Sequence, residues 1–415
     1  MNYLDIDLDL TEEDIELKNA AQRFAREVMR PIAVKLDEMT PEQVIAKDSP
    51  FWDFMRKAYE LGYHTILIPE PYGGMDLTSK QQAILYEELA WGSVGLTVAL
   101  GVAAFPSFGA SLVAEEALIE KIIEPFCKCK DASIVGCWGI TEPDHGSDTL
   151  VPHYPSFSDP NIKSQCRARP DGDFYILNGQ KSAWVSLGTV STHCALFCQI
   201  DPSMGHAGGG IFALPLDLPG VSKGKPLNKI GQRDLNQGEI FFDNVRVPGE
   251  YLIAGPEAYE ALLEITLSAT TALMGIFSAG LARAAFEEAL EYAKNRVQGG
   301  KALIEYPNVQ AKLFHMFSKV ETTRLMSRAA YIFNQSTSTP AEEYSIVAKV
   351  YGTQAAFDVA NDAIQIFGGN GLTKEYHIEK LFRDARAMLI EDGSNDTLAI
   401  AGGHKLIHNY PRLDM

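Results

Sequence analysis

The sequence predicts a mainly α chain with a central β domain, on three observations. The first third carries helical periodicity. Near residue 131 the pattern turns to short β-rich runs broken by Gly and Pro. After Pro248 helical periodicity returns and holds almost to the end. At about 150 residues per domain, 415 residues suggest two or three domains. The expected divisions are an N-terminal helical domain at 1–130, a middle β domain at 131–247 and a C-terminal helical bundle at 248–415.

Each element has a local reason. Thr11 is a plausible N-cap before EEDIELKNAAQRFAREVM, where Leu17, Ala21, Phe24 and Val28 share one face. IPEPYGG, at 68–74, punctuates a loop, and helical pattern resumes at SKQQAILYEELAW and ALIEKIIEPF. In the middle region Asn178-Gly179 sits between β-rich runs and predicts a hairpin turn there, with GGIFALPLD and GEIFFDNVRVP as further strands. The last third holds three long helical patterns, beginning near Ala258, Asn308 and Glu342. The third is broken by Gly368-Gly369-Asn370-Gly371, which reads either as a glycine C-cap or as bare backbone for a ligand.

Composition excludes several classes. Apolar residues make up 46% and charged residues 22%, which suits a globular chain with a sizeable core and not a disordered one. The net charge of −18 argues against a nucleic-acid or anionic-membrane partner. Cys127, Cys129, Cys137, Cys166, Cys194 and Cys198 read as reduced thiols. The acidic start has no basic or apolar leader pattern, so a cytoplasmic protein is expected. Two uncharged runs, Leu89 to Ala114 and Ile265 to Ala282, are expected to be buried helices and not membrane spans.

No dinucleotide or P-loop glycine motif, HExxH or GxSxG is present, and neither cysteine pair has a partner pair at zinc spacing, so no metal site is expected. Three segments remain as candidates. Thr141-Glu142-Pro143-Asp144-His145-Gly146-Ser147-Asp148 is either a capped turn or a loop offering N–H and hydroxyl groups to a ligand. Trp184-Val185-Ser186 ends a strand, with Trp184 more naturally core than ligand-stacking. Glu391-Asp392-Gly393-Ser394-Asn395-Asp396 follows an apolar run and reads either as a solvated turn or as a carboxylate at the mouth of an apolar pocket, a candidate base.

In order along the chain, PEPYGG, ITEPDHGSD, NGQKSAWVS, KIGQR, FDNVRVP, NRVQGGK, QIFGGNG, EKLFRDAR and EDGSND resemble the acyl-CoA dehydrogenase family over nearly the whole length. The resemblance implies a middle domain of β-barrel-like form, a C-terminal four-helix bundle, a homotetramer, and FAD held between domains and across a subunit interface. By position, Trp138, Ile140 and Thr141 match residues that cradle the flavin ring. Trp184 and Ser186 match the pair packing on it and hydrogen-bonding near its N5. Arg296, Gln298, Gln365, Gly368 and Gly369 match positions that hold the FAD pyrophosphate and adenine from a neighbouring subunit. Ser394 and Asp396 count with the FAD positions, and Ser147 and Gly393 with those for the CoA substrate.

The family places a glutamate base a fixed distance after its Gln-x-x-Gly-Gly turn. Counting from Gln365 lands on Asp392, and Gly393-Ser394 agree with that register. Glu391 would need a one-residue slip. Ala269 and Thr270, matching the alternative base position of some members, cannot serve. The implied reaction is α,β-desaturation of an acyl-CoA. A carboxylate takes the α-proton while the β-hydrogen leaves as hydride to flavin N5, and the FAD ribityl chain and the Asp392 N–H bind the carbonyl oxygen. Electrons then pass to an electron-transfer flavoprotein.

Aspartate sets its carboxylate back by one C–C bond, about 1.5 Å. Members acting on cyclohexane- or cyclohexene-carboxyl-CoA in anaerobic ring degradation look similar in departing from glutamate, so a branched or cyclic acyl group is expected. The alternatives on the same scaffold are 1,4-elimination on a cyclic enoyl-CoA, a redox-neutral lyase and a flavin hydroxylase. A non-catalytic scaffold is disfavoured by Thr141, Ser147, Trp184 and Ser186. Other departures are Gly299 for a common Phe, Asp144 and His145 for small residues, and an apparent insertion at His153–Arg169. The absence of Arg in Trp91–Gly101 argues against a dicarboxylyl-CoA.

Overall fold

The computed structural model describes residue 6 and residues 9–409; most of the acidic opening stretch lies outside the described residues. The N-terminal part is helical. Helix α1 (Glu12–Phe24) starts at Thr11, whose hydroxyl accepts the Asp14 N–H at 3.1 Å while the Asp14 carboxylate accepts the Thr11 N–H at 3.1 Å, a capping box. Helices α2 (Pro50–Glu60), α3 (Ser79–Gly92), α4 (Val94–Ala103) and α5 (Phe105–Val113) follow.

The middle part is an eight-stranded sheet, mostly antiparallel: β1 (Trp138–Gly139), β2 (Arg167–Asp171), β3 (Phe174–Ser186), β4 (His193–Gln199), β5 (Gly209–Pro215), β6 (Val221–Lys223), β7 (Gln237–Pro248) and β8 (Leu252–Ala254). The order is β6-β7-β3-β2-β4-β5-β8, with β1 pairing parallel to β4. The predicted turn at Asn178-Gly179 is corrected: these residues lie inside β3. The turn joins β2 to β3 at Gly172, φ +63°, where Asp171 pairs with Phe174. Gly179 marks a bulge against β7; it takes φ +129°, and a Cβ there would come 2.6 Å from the Cα of Cys166. A glycine within a strand pattern can thus mark a bulge as well as a turn.

Helices α6 (Pro256–Asn295), α7 (Pro307–Ser336), α8 (Glu342–Phe367), α9 (Ile378–Met388) and α10 (Asn395–Asn409) complete the chain. Helix α6 packs on α8, α7 and α3. Among the described residues it is the one helix long and apolar enough to cross a membrane, and nearly all of its apolar window is buried inside the fold. Helices α4 and α5 pass the same test only as a pair bent by 43°. Every residue of α4 is buried. A buried ionic cluster ties α3 to α6 and α7: Arg283 meets Glu88 at 2.5 Å, and Arg324 and Arg328 meet Glu87 at 2.8 and 2.9 Å. Removing one partner would leave an uncompensated buried charge, at a cost of about 3–5 kcal/mol. All six cysteines are buried and free of disulfides.

Candidate active site

One cavity of about 700 Å³ opens where the sheet, α4 and the turn after α9 meet. It is lined by Trp138, Ile140, Thr141, Ser147, Trp184, Ser186, Asp392 and Gly393, so these residues, distant in the sequence, come together with the rest of the loop 142–146. Val98 and Val102 of α4 supply apolar wall.

The loop after β1 is fixed from behind. Lys181, fully buried on β3, donates from Nζ to the Ile140 carbonyl at 3.0 Å and pairs with Glu142 at 2.6 Å. Glu142 also accepts the N–H groups of Gln165 at 2.5 Å and Cys166 at 3.2 Å, so both buried charges are compensated. The Thr141 carbonyl accepts the Ser182 N–H at 2.8 Å. Farther along, Ser147 Oγ accepts the Ser394 N–H at 2.8 Å, joining this loop to the turn after α9. Trp138 stacks on Phe105 with centroids 4.9 Å apart. Trp184 is not a core residue: it is 58% exposed and lines the cavity. The Ser186 hydroxyl accepts from Gln237 Nε2 at 3.1 Å.

The second wall is the turn at 389–394, closed by the Asn395 N–H on the Leu389 carbonyl at 3.0 Å. Asp392 takes φ +52° and Gly393 φ +95°. Left-handed backbone is costly for most residues but tolerated by Asp, and outliers of this kind concentrate at functional sites. Among the described residues, no hydrogen bond occupies the Asp392 carboxylate or the N–H groups of Asp392 and Gly393. Burial pushes the Asp392 carboxyl from its ordinary 3.8 up to about 6, with the Lys349 charge working against that rise. Lys349 donates to the Gly393 carbonyl at 2.5 Å and to Asn395 Oδ1 at 2.8 Å. Burial lowers its ammonium to about 8, opposed by Asp392 and Glu391.

Glu391 also lines the cavity, and its Oε1 accepts from Gln232 Nε2 at 2.5 Å. Burial first, and then the Asp392 charge, raise its carboxyl to about 7. Glu391 was weighed in the sequence and set aside, while Gln232, Lys229 and Lys349 were missed as site residues. Lys229 and Gln232 lie in the KIGQR stretch, whose chemistry no local pattern announces. Lys349 stands in the first third of α8, and only the tertiary fold brings it to a turn more than forty residues on.

Seven further sequence candidates lie outside the cavity lining. Ser394 and Asp396 sit just past the turn. Arg296, Gln298, Gln365, Gly368 and Gly369 are exposed around the ends of α6 and α8. Gly299 and Gly300 make the turn of a small hairpin with φ +63° and +89°, a conformation Phe would not favour. Gly368 ends α8 at φ +60°, ψ −136°, not a left-handed helical cap, and a Cβ on Gly368 or Gly369 would point into open space.

Fold and site together define an oxidoreductase acting on the CH–CH bond of an acyl-CoA. The chain belongs to the acyl-CoA dehydrogenase family: the family's N-terminal domain matches residues 11–128, its middle domain 137–245 and its C-terminal domain 262–405. It is 28% identical over 401 residues to the probable acyl-CoA dehydrogenase FadE25 of Mycobacterium tuberculosis, covering 96% of each chain. It is similar to butyryl-CoA dehydrogenase from Megasphaera elsdenii, at 26% identity and TM-score 0.85 over 97% of this chain and 100% of that one. A chain in the structure of the electron transferring flavoprotein of Acidaminococcus fermentans matches at 28% identity and TM-score 0.84, over 97% and 100%. FAD is the cofactor of this family.

Proposed function

We propose that the chain desaturates the Cα–Cβ bond of a branched or cyclic acyl-CoA, with Asp392 as the base. The observation that carries this reading is the Asp392 carboxyl: it lines the cavity, has no hydrogen-bond partner among the described residues, and is poised near pH 6. A base held near the operating pH combines the correct protonation state with useful driving force.

The residues fit FAD on two observations. Trp184 offers a flat, exposed apolar ring on the cavity wall. Gly368 and Gly369 offer bare backbone beside open space. Trp138, Ile140, Thr141, Trp184 and Ser186 would hold the ring system, with Ser394 and Asp396 nearby. Arg296, Gln298, Gln365, Gly368 and Gly369 would hold the far end for a neighbouring subunit. FAD, when bound, supplies the hydride acceptor for the β-hydrogen.

The chain's own groups do the rest. Asp392 takes the α-proton. The unpaired N–H of Asp392 is available to the thioester oxygen, where charge builds as the proton leaves. Ser147 orders the turn through its bond from Ser394 and stands with Gly393 where the CoA end enters. Val98 and Val102 keep water from the acyl group. The positive φ at Asp392 sets the direction in which its shorter side chain leaves the turn.

A second reading, 1,4-elimination on a cyclic enoyl-CoA, draws on Glu391, a second carboxyl lining the same cavity. Exposed Phe314, Leu325 and Phe333 on α7 and Val347 and Tyr351 on α8 support a homotetramer. The six free, buried thiols suit a cytoplasmic setting, and the relation to the flavoprotein complex chain supports an electron-transfer flavoprotein as acceptor. The test is anaerobic titration of the FAD-loaded protein with straight, branched and cyclic acyl-CoAs, followed by flavin absorbance and product analysis. Rapid bleaching by a branched or cyclic saturated thioester, giving the 2-enoyl product, is expected. Bleaching only by a cyclic enoyl-CoA, with a conjugated diene as product, selects the second reading. No bleaching by any thioester overturns both.

A further inference from the structure

Three features are given no role in the chemistry above: His145, which stands at the cavity wall, the segment 153–169, and His206, a buried histidine in the turn before β5. The fold brings them to one point. His145 Nδ1 lies 2.7 Å from Asp148 Oδ2, and His206 Nε2 lies 3.3 Å from the same oxygen. The two imidazole rings stand edge to face with centroids 4.8 Å apart. All three potential ligand atoms lie within 4.8 Å of one another.

We propose that His145, Asp148 and His206 form a site for a divalent transition-metal cation of the zinc class. Two imidazole nitrogens and one carboxylate oxygen are a donor set that suits such ions, with a fourth position left for water. Bonds of about 2.0–2.1 Å in a tetrahedron place ligand atoms about 3.3 Å apart. The His206 to Asp148 separation already has that value, and the His145 contact needs to open by about half an ångström to reach it.

The surroundings orient the ligands as metal sites require. Ser164, from the apparent insertion, has its Oγ 3.2 Å from His206 Nδ1. Donation from Nδ1–H to that oxygen leaves the Nε2 lone pair facing Asp148. The Gly146 N–H donates to Asp148 Oδ1 at 2.7 Å and so leaves Oδ2 for the ion. Phe157, also from the insertion, stands with its ring 5.8 Å from that of His206 and excludes water on one side. The ligands come from positions 145, 148 and 206, so no linear spacing revealed them. The ion would clamp the loop bearing Ser147 to the segment before β5, and would steady the turn that Ser147 orders.

The test uses the FAD-loaded protein, stripped with chelator, desalted, and titrated with Zn²⁺ and separately with Co²⁺ by calorimetry, with thermal melts alongside. One ion per chain is expected, with a melting midpoint that rises with metal. Asp148→Asn and His145→Gln, both at partly exposed positions, should weaken binding by more than the ~10–100-fold that loss of an orienting partner costs, and should abolish the thermal shift, while flavin absorbance reports an intact fold. His404 and His408, one turn apart on α10, are a competing chelating pair with ring centroids 4.1 Å apart. His404→Ala should leave the stoichiometry unchanged. No saturable binding, binding untouched by Asp148→Asn and His145→Gln, or binding abolished by His404→Ala would each overturn the site and leave a metal-free hydrogen-bonded cluster.

Discussion

Lys349 donates from Nζ to the carbonyl oxygen of Gly393 at 2.5 Å, one residue beyond Asp392. A buried cation on α8 thereby fixes the turn that carries the proposed base and also opposes the upward pull of burial on its carboxyl. Lys349→Met keeps the bulk of the side chain and removes both effects. With the opposite charge gone the Asp392 carboxyl rises further, so the acidic limb of kcat/KM, expected near pH 6 for the native protein, should move up by about one pH unit in the variant. The loosened turn should lower kcat by about ten- to a hundredfold. A pH–rate profile checks both; a lowered kcat with an unmoved limb would make Lys349 a purely mechanical anchor.

Asp392→Asn should abolish flavin reduction by acyl-CoA and leave FAD bound. It should also stabilise the protein at pH 8. A carboxyl raised from 3.8 to about 6 is disfavoured as an anion in the fold by about 3 kcal/mol. Between those values the native state binds more protons than the unfolded state, so the native protein loses stability as pH rises through about 6, and this loss is absent below about pH 4. Asparagine also tolerates the left-handed backbone. Chemical denaturation of both proteins at pH 4 and pH 8 should show the variant ahead only at pH 8. Equal stability at both would place the Asp392 carboxylate in a solvated setting.

The layered layout was legible because helical and alternating patterns are written in local residue order, as in α1 and β7. The hairpin position was not, because Asn178-Gly179 and Gly172 carry the same local signal and only pairing with β7 distinguishes bulge from turn. The place of Asp392 on the cavity wall was legible through the resemblance, by counting from Gln365. Its environment was not: Lys349 and Gln232 reach the turn from distant segments, and Trp184 points outward from a strand whose pattern suits a core residue.

Glu391→Gln separates the two adjacent carboxyls. Glu391 is raised to about 7, partly by the Asp392 charge, so Asp392 ionises first and the pair titrates with coupled apparent values. If Asp392 is the base, the variant should reduce its flavin within about tenfold of the native rate, since its amide keeps a hydrogen-bonding group beside Gln232, and a limb near pH 6 should persist. Stopped-flow bleaching measures this directly. A loss as deep as that of Asp392→Asn would transfer the role of base to Glu391.

Trp184→Ala tests the flavin face. A Trp that is 58% exposed contributes little to the core, so its removal should shift the melting midpoint of the FAD-free protein by no more than a surface change does, within about 0.5 kcal/mol of stability. Binding is another matter, because a bound ring would cover that surface. Loss of one aromatic partner should weaken FAD retention by about 0.5–1.5 kcal/mol beyond the lost contact area, a weakening of roughly two- to more than tenfold. Trp184→Phe should recover most of it, since the flat face is kept. Flavin-to-protein absorbance ratios after dialysis, compared with melts of the FAD-free forms, separate the two effects. Full retention of FAD by Trp184→Ala would remove that side chain from the cofactor site and leave its exposure to be explained by substrate or partner contact.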